Sequence, residues 1–267
     1  MKKFLIAIVV LCALSLIPLT GFFVARSFRK PKNIDPEQGI SLLKTLDDVS
    51  VDTVQKKLDV IEKQRLEALA QANRELKTQE IISLIQAGQL TYRKALSNLY
   101  IAGDSLMAGL DVYNILNSSH IFAEVSASLR HLEANLDKIV AKRPPILLLH
   151  YGLNMIATSD AQLNNFIRKY TSLIEQLKQK LPNTRIVVSL LFPVDRSKAV
   201  SDEFGRIDVY NNALKDMCKT LGVEWLDSAP AFGGRTDFYG ADGIHLSASF
   251  YRNYWLIHVI RELEIGA

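Results

Sequence analysis

Leu99-Tyr100-Ile101-Ala102-Gly103-Asp104-Ser105-Leu106 runs an apolar tetrapeptide straight into a glycine, an acid and a serine. Four more short apolar runs follow: Ile121-Phe122-Ala123-Glu124-Val125, Ile146-Leu147-Leu148-Leu149-His150, Ile186-Val187-Val188-Ser189-Leu190-Leu191 and Val223-Glu224-Trp225-Leu226. Stretches with helical periodicity lie between and after them, at about 105–117, 127–141, 160–180, 206–221 and 247–264. Strand and helix thus alternate five times. The runs lack strict apolar–polar alternation, which predicts strands buried on both faces in a parallel sheet covered by helices. The expected fold is a three-layer α/β domain over residues 97–267 with a five-stranded parallel sheet. Ligands of such sheets sit beyond the carboxyl ends of the strands, so the residues after each run are the place to seek chemistry.

Those residues are informative. Ser105 follows the first run, Gly152-Leu153-Asn154 follows the third, and Asp242-Gly243-Ile244-His245 precedes the last helical stretch. A serine hydroxyl is a weak nucleophile until an imidazole takes its proton, and a carboxylate must hold that imidazole in the right tautomer. Asp242 and His245, three residues apart in a tight turn, can bond each other and leave the second ring nitrogen to Ser105. Ser105 at a strand-to-helix junction would offer a helix N-terminal amide to a developing oxyanion, and Asn154 offers a side-chain amide. Ser105 as a mere helix cap and Asp104 as a structural loop residue are the plainer alternatives. His150 either lines the pocket or is a buried, bonded histidine. Phe238 and Tyr239 form either a substrate wall or packing, and Asp227 and Asp237 are less well spaced partners for His245.

Gly103-Asp104-Ser105-Leu106, Gly152-x-Asn154 and Asp242-x-x-His245, in this order, resemble the motifs of the SGNH (GDSL) hydrolases over roughly residues 97–264. The resemblance implies a flavodoxin-like fold with Ser105 as nucleophile, His245 as base and Asp242 as its orienter. It implies an oxyanion hole formed by the Ser105 N–H, the backbone N–H of a glycine that the family carries in a second motif block after the second strand, and the Asn154 side chain. Two positions depart from the family pattern. Ser126 stands nearest to the second block's glycine, keeping an N–H but adding a side chain. Met155 follows the asparagine where the family has aspartate. The α/β-hydrolase elbow is absent, because Met107 occupies its second glycine position. The implied activity is hydrolysis of an acyl ester without metal or organic cofactor. The substrate is expected to be a carbohydrate or lipid ester, an O-acetylated envelope glycan first among them. A glycan-binding or scaffolding protein with little turnover, and an acyltransferase using the same triad, are the alternatives.

The N-terminal third has a different character. Phe4 to Ala25 carries no charge over 22 residues, about 33 Å of helix and enough for a ~30 Å hydrocarbon core. An uncleaved single-pass anchor through residues 4–25 is expected, with a cleaved signal peptide as its rival. Domain boundaries are placed at 1–34 (anchor and basic juxtamembrane segment), 35–96 (helical stalk) and 97–267. Two Lys/Arg precede the span and four follow it, a small margin that taken literally favours a cytoplasmic C-terminal side. The domain is nonetheless expected on the extracytoplasmic side, because an anchored, stalked domain of the resembled family suits an envelope substrate. Val51, Val54, Leu58 and Ile61 make an apolar stripe that weakens from Arg65 onward. It suits either a dimerising helix over 51–77 or an amphipathic helix packed on its own chain.

Composition excludes other classes. Of 267 residues, 48% are hydrophobic and 22% charged, which suits a globular chain rather than a disordered one. Two cysteines, Cys12 and Cys218, allow neither a disulfide framework nor a zinc ribbon. The net charge is +4, yet six of the 32 basic residues lie in residues 1–34, which hold no acid. The remainder carries 26 basic against 28 acidic residues. No basic face for nucleic acid is expected.

Overall fold

The computed structural model describes residues 51–266 together with 37, 39–41 and 44. The expected span at 4–25 lies outside the described residues. Among the described residues no helix is long and apolar enough to cross a membrane. The chain divides between residues 67 and 68 into two units.

Helix α1 comprises Val51–Gln86. Val51, Val54, Leu58, Ile61, Leu66, Leu69 and Leu76 along it are exposed, whereas Thr78 and Ile82 near its end are buried. It stops before Gly88, whose φ of +71° lies in the left-handed region.

Five strands form one parallel sheet in the order β2-β1-β3-β4-β5. They are β1 (Leu99–Gly103), β2 (Ile121–Ala123), β3 (Ile146–His150), β4 (Arg185–Ser189) and β5 (Glu224–Leu226). Leu147 to His150 and Ile186 to Ser189 are buried, as expected for central strands without alternation. Helices α2 (Ser105–Val112), α3 (Leu129–Lys142), α4 (Asp160–Lys180), α5 (Ile207–Leu221) and α6 (Leu256–Glu262) alternate with or follow the strands. Each of α3 and α4 is capped by a serine hydroxyl: Ser128 accepts from Arg130 N–H, and Ser159 from Gln162 N–H. Leu106, Met107 and Leu110 are the buried side chains of α2, while Asp111 and Val112 at its end are exposed; burial gains about 1.5–3 kcal/mol for each buried side chain.

The chain leaves β1 outward to β2 and returns to β3 on the other flank of β1. The ends of β1 and β3 therefore bound the crevice where such sheets bind ligands. Gly103 pairs with His150 at that point.

Some bounds differ from expectation, for local reasons. Strand β2 ends at Ala123 rather than Val125, because the chain turns at Ser126, which has φ +60°. Helix α2 ends at Val112 instead of 117, just before Asn114 at φ +55°. The final helical stretch is interrupted by a π turn over Tyr251–Trp255.

Candidate active site

Ser105 is the first residue of α2, and Asp104 rather than Ser105 is its N-cap. The Asp104 carboxylate accepts from Leu106 N–H at 3.1 Å. Asp104 is thus a structural loop residue, and the Ser105 hydroxyl is left free of capping work. Its N–H belongs to the first turn, where amides have no intrahelical acceptor.

His245 bridges the other two groups. Its Nε2 lies 3.0 Å from Ser105 Oγ, and its Nδ1 lies 2.5 Å from Asp242 Oδ2. The second carboxylate oxygen of Asp242 accepts from the N–H groups of Ile244 and His245, both at 3.0 Å. Partial burial pushes the Asp242 carboxyl up, but the His245 imidazole and these two amides outweigh it and hold the group down at about 2. Asp242 is therefore ionised and accepts only, so the imidazole turns an N–H at Nδ1 toward it and faces Ser105 with Nε2.

Residues 105 and 245 are held together by a short circuit of bonds. Tyr113, just past the end of α2, donates from its hydroxyl to Leu246 C=O at 3.0 Å. Tyr251 donates to Leu106 C=O at 2.7 Å. The helix that begins with Ser105 is thus tied twice to the segment that follows the turn presenting His245. The turn is braced within itself as well, by Gly240 N–H to His245 C=O at 2.7 Å and Ser247 N–H to Phe238 C=O at 2.9 Å. Its tip rests on the loop after β4, where Asp195 N–H donates to Gly243 C=O at 2.8 Å. Gly243 has φ +70°, and a Cβ there would stand 2.7 Å from Asp195 O and 2.8 Å from Lys198 Cβ. Only glycine fits this tip.

Asn154 lies in a single turn (Leu153–Met155) after β3. The turn begins at Gly152, whose φ of +139° explains the glycine of Gly152-x-Asn154. Asn154 Nδ2 donates to Ala127 C=O at 3.1 Å, which leaves one amide hydrogen for a ligand. Met155 has two contacts of its own: its sulfur receives Leu129 N–H at 3.5 Å, and its carbonyl receives the Tyr210 hydroxyl at 3.1 Å. Ser126 is exposed, and its backbone lies in the left-handed region at φ +60°.

The site is open. The His245 and Asp242 side chains are 52% and 47% exposed. Phe238 is buried in the aromatic packing around Phe232 and Phe250, and the Tyr239 hydroxyl donates to Pro193 C=O, so both are packing residues. Asp227 bonds Ala229 N–H and Lys215, and Asp237 pairs with Arg235. His150 is fully buried behind the crevice, with Nδ1 3.0 Å from Ser189 Oγ and its ring against Phe192. Burial lowers its pKa, against the pull of Asp104. Among the described residues no group of three or more His, Cys, Asp or Glu side chains could hold a metal ion. Tyr113 and Tyr251 were not legible as site residues, since nothing in the chain marks a tyrosine whose partner is over 130 positions away.

Solved structures similar to this chain include a GDSL-like lipase from Bacteroides thetaiotaomicron, with 12% identity and a TM-score of 0.48, covering 62% of this chain and 86% of that one. Another is an acetylxylan esterase from Geobacillus stearothermophilus, in a catalytic mutant, with 15% identity and a TM-score of 0.47, covering 63% and 93%. A search of the curated proteins returned no match. The model of the GDSL-like Lipase/Acylhydrolase family matches residues 101–252, from within β1 to the start of the last helical stretch. With more than half of its residues so matched, the chain belongs to the GDSL-like lipase/acylhydrolase family and is a hydrolase of the serine-esterase type.

Proposed function

We propose that the protein cleaves acyl esters by double displacement with Ser105 as nucleophile, His245 as base and Asp242 as orienter. The observation that carries this is the unbroken chain from Asp242 through His245 to Ser105, with links of 2.5 and 3.0 Å. Ser105 Oγ adds to the acyl carbon while its proton passes to His245 Nε2. The oxyanion of the tetrahedral intermediate is received by the N–H groups of Ser105 and Ser126 and by the free Asn154 amide hydrogen. His245 then gives its proton to the departing alkoxide oxygen, the alcohol leaves and the acyl group stays on Ser105. Water adds next, its proton goes to Nε2, and collapse releases the carboxylic acid and restores the serine hydroxyl.

The openness of the site supports a short acyl group on a bulky alcohol, since an exposed histidine leaves room for a large leaving group. An O-acetylated envelope glycan is the substrate that best suits a domain carried on an N-terminal anchor through residues 4–25, with the domain on the extracytoplasmic side. Replacing Ser105 by Ala tests the assignment. Hydrolysis of p-nitrophenyl acetate should fall by at least about 10³-fold, and unchanged turnover in a folded variant would remove Ser105 from the mechanism.

A further inference from the structure

The donors assigned to the oxyanion come from different loops. Ser126 sits in the loop between β2 and α3, and Asn154 in the turn after β3. These two loops are stitched together. Besides the Asn154–Ala127 and Met155–Leu129 contacts, His131 in the first turn of α3 places Nδ1 2.9 Å from the hydroxyl of Tyr151. Tyr151 directly precedes Gly152 and is fully buried. On its other side, His131 Nε2 lies 3.7 Å from Glu124 Oε2, at the start of the β2–α3 loop.

Each group in this chain has one role open to it. Most buried hydroxyls have a hydrogen-bond partner, and His131 is the one that the Tyr151 hydroxyl has among the described residues. Burial, reinforced by Asp104, pushes the hydroxyl well above its ordinary range, so it keeps its proton and donates. Burial lowers the His131 pKa; Glu124 opposes this and Lys138, on the same helix, adds to it. The neutral ring then accepts from Tyr151 at Nδ1 and turns its Nε2–H toward Glu124.

We infer that His131 and Tyr151 are positioning residues: their hydrogen bond fixes the turn after β3 against α3 and so sets where the Asn154 amide stands. This rests on the reading of Asn154 as an oxyanion donor. Neither residue touches the acyl group, so the effect belongs in kcat rather than in KM.

A double-mutant cycle separates positioning from simple structural support. With p-nitrophenyl acetate as probe and the full chain as enzyme, Tyr151→Phe should lower kcat about 10-fold with KM within about twofold, as expected for a misplaced group. Asn154→Ala should lower kcat by about 10²–10³-fold. In the Asn154→Ala background, Tyr151→Phe should cost less than about twofold, because the group it positions is gone. His131→Ala should match Tyr151→Phe, and His131→Gln, whose amide oxygen can accept from the hydroxyl, should recover most of the loss. A wild-type kcat for Tyr151→Phe, or the same 10-fold loss in both backgrounds, overturns the inference. Should Tyr151→Phe not fold, equal kcat values for His131→Ala and His131→Gln overturn it. Ser105→Ala keeps the two readings apart: if it is inactive while Tyr151→Phe is unimpaired, only the positioning role fails.

Discussion

Ser126→Gly tests whether the departure at the second motif block is a matter of backbone alone. Ser126 has φ +60° and is exposed. A side chain in the left-handed region costs about 1–2 kcal/mol relative to the right-handed one. Glycine removes that cost, but its freer unfolded chain takes back about 0.5–1 kcal/mol. The difference is a net stabilisation of about 0–1.5 kcal/mol. For a domain of this size a melting temperature should rise by about 2–4 °C for each kcal/mol, so the substitution should leave it unchanged or add up to about 6 °C in a calorimetric scan. Esterase activity should persist, because the N–H at 126 is unchanged and its neighbourhood is less crowded. A lower melting temperature would mean that the serine side chain does stabilising work here, and a large loss of kcat would mean that its hydroxyl takes part in the reaction. Either result refutes the reasoning.

Asp242→Asn should lower kcat by about 10³-fold or more with the fold intact, since an amide no longer dictates which imidazole nitrogen carries the proton; steady-state kinetics and circular dichroism check this. The same pair of proteins tests a pH dependence. Asp242 is held at about 2, below its ordinary 3.8. The stability it contributes is therefore complete above about pH 4 and is lost as pH falls toward 2, so urea midpoints of wild type and variant should converge only across that window. Gly243→Ala should destabilise the Asp242–His245 turn, because a Cβ there meets Asp195 O at 2.7 Å at an unfavourable φ; lower activity and a lower melting temperature are expected together. Asp104→Ala should cost about 1 kcal/mol through the lost cap on α2, seen as a denaturant midpoint shift without a change in substrate preference.

The sheet was legible because parallel strands covered on both faces leave continuous apolar runs, and Ile146–His150 is such a run. The junction at Gly103-Asp104-Ser105 and the Asp242–His245 spacing were legible because each is local. Strand ends were less so. The chain leaves β2 at Ala123 because of the backbone angle at Ser126, and residue identity alone does not announce a serine at positive φ. The long-range bonds were not legible at all. Tyr113 to Leu246, Tyr251 to Leu106 and Tyr151 to His131 join segments whose approach is decided by the packed sheet, and each tyrosine alone looks like ordinary core.

The most direct test of the account is to treat the purified protein with a serine-reactive fluorophosphonate and locate the adduct by tandem mass spectrometry. The account predicts a single adduct on Ser105 that forms readily in wild type and is nearly lost in His245→Gln. An adduct on another serine, or equal labelling of Ser105 with and without the imidazole, would contradict it.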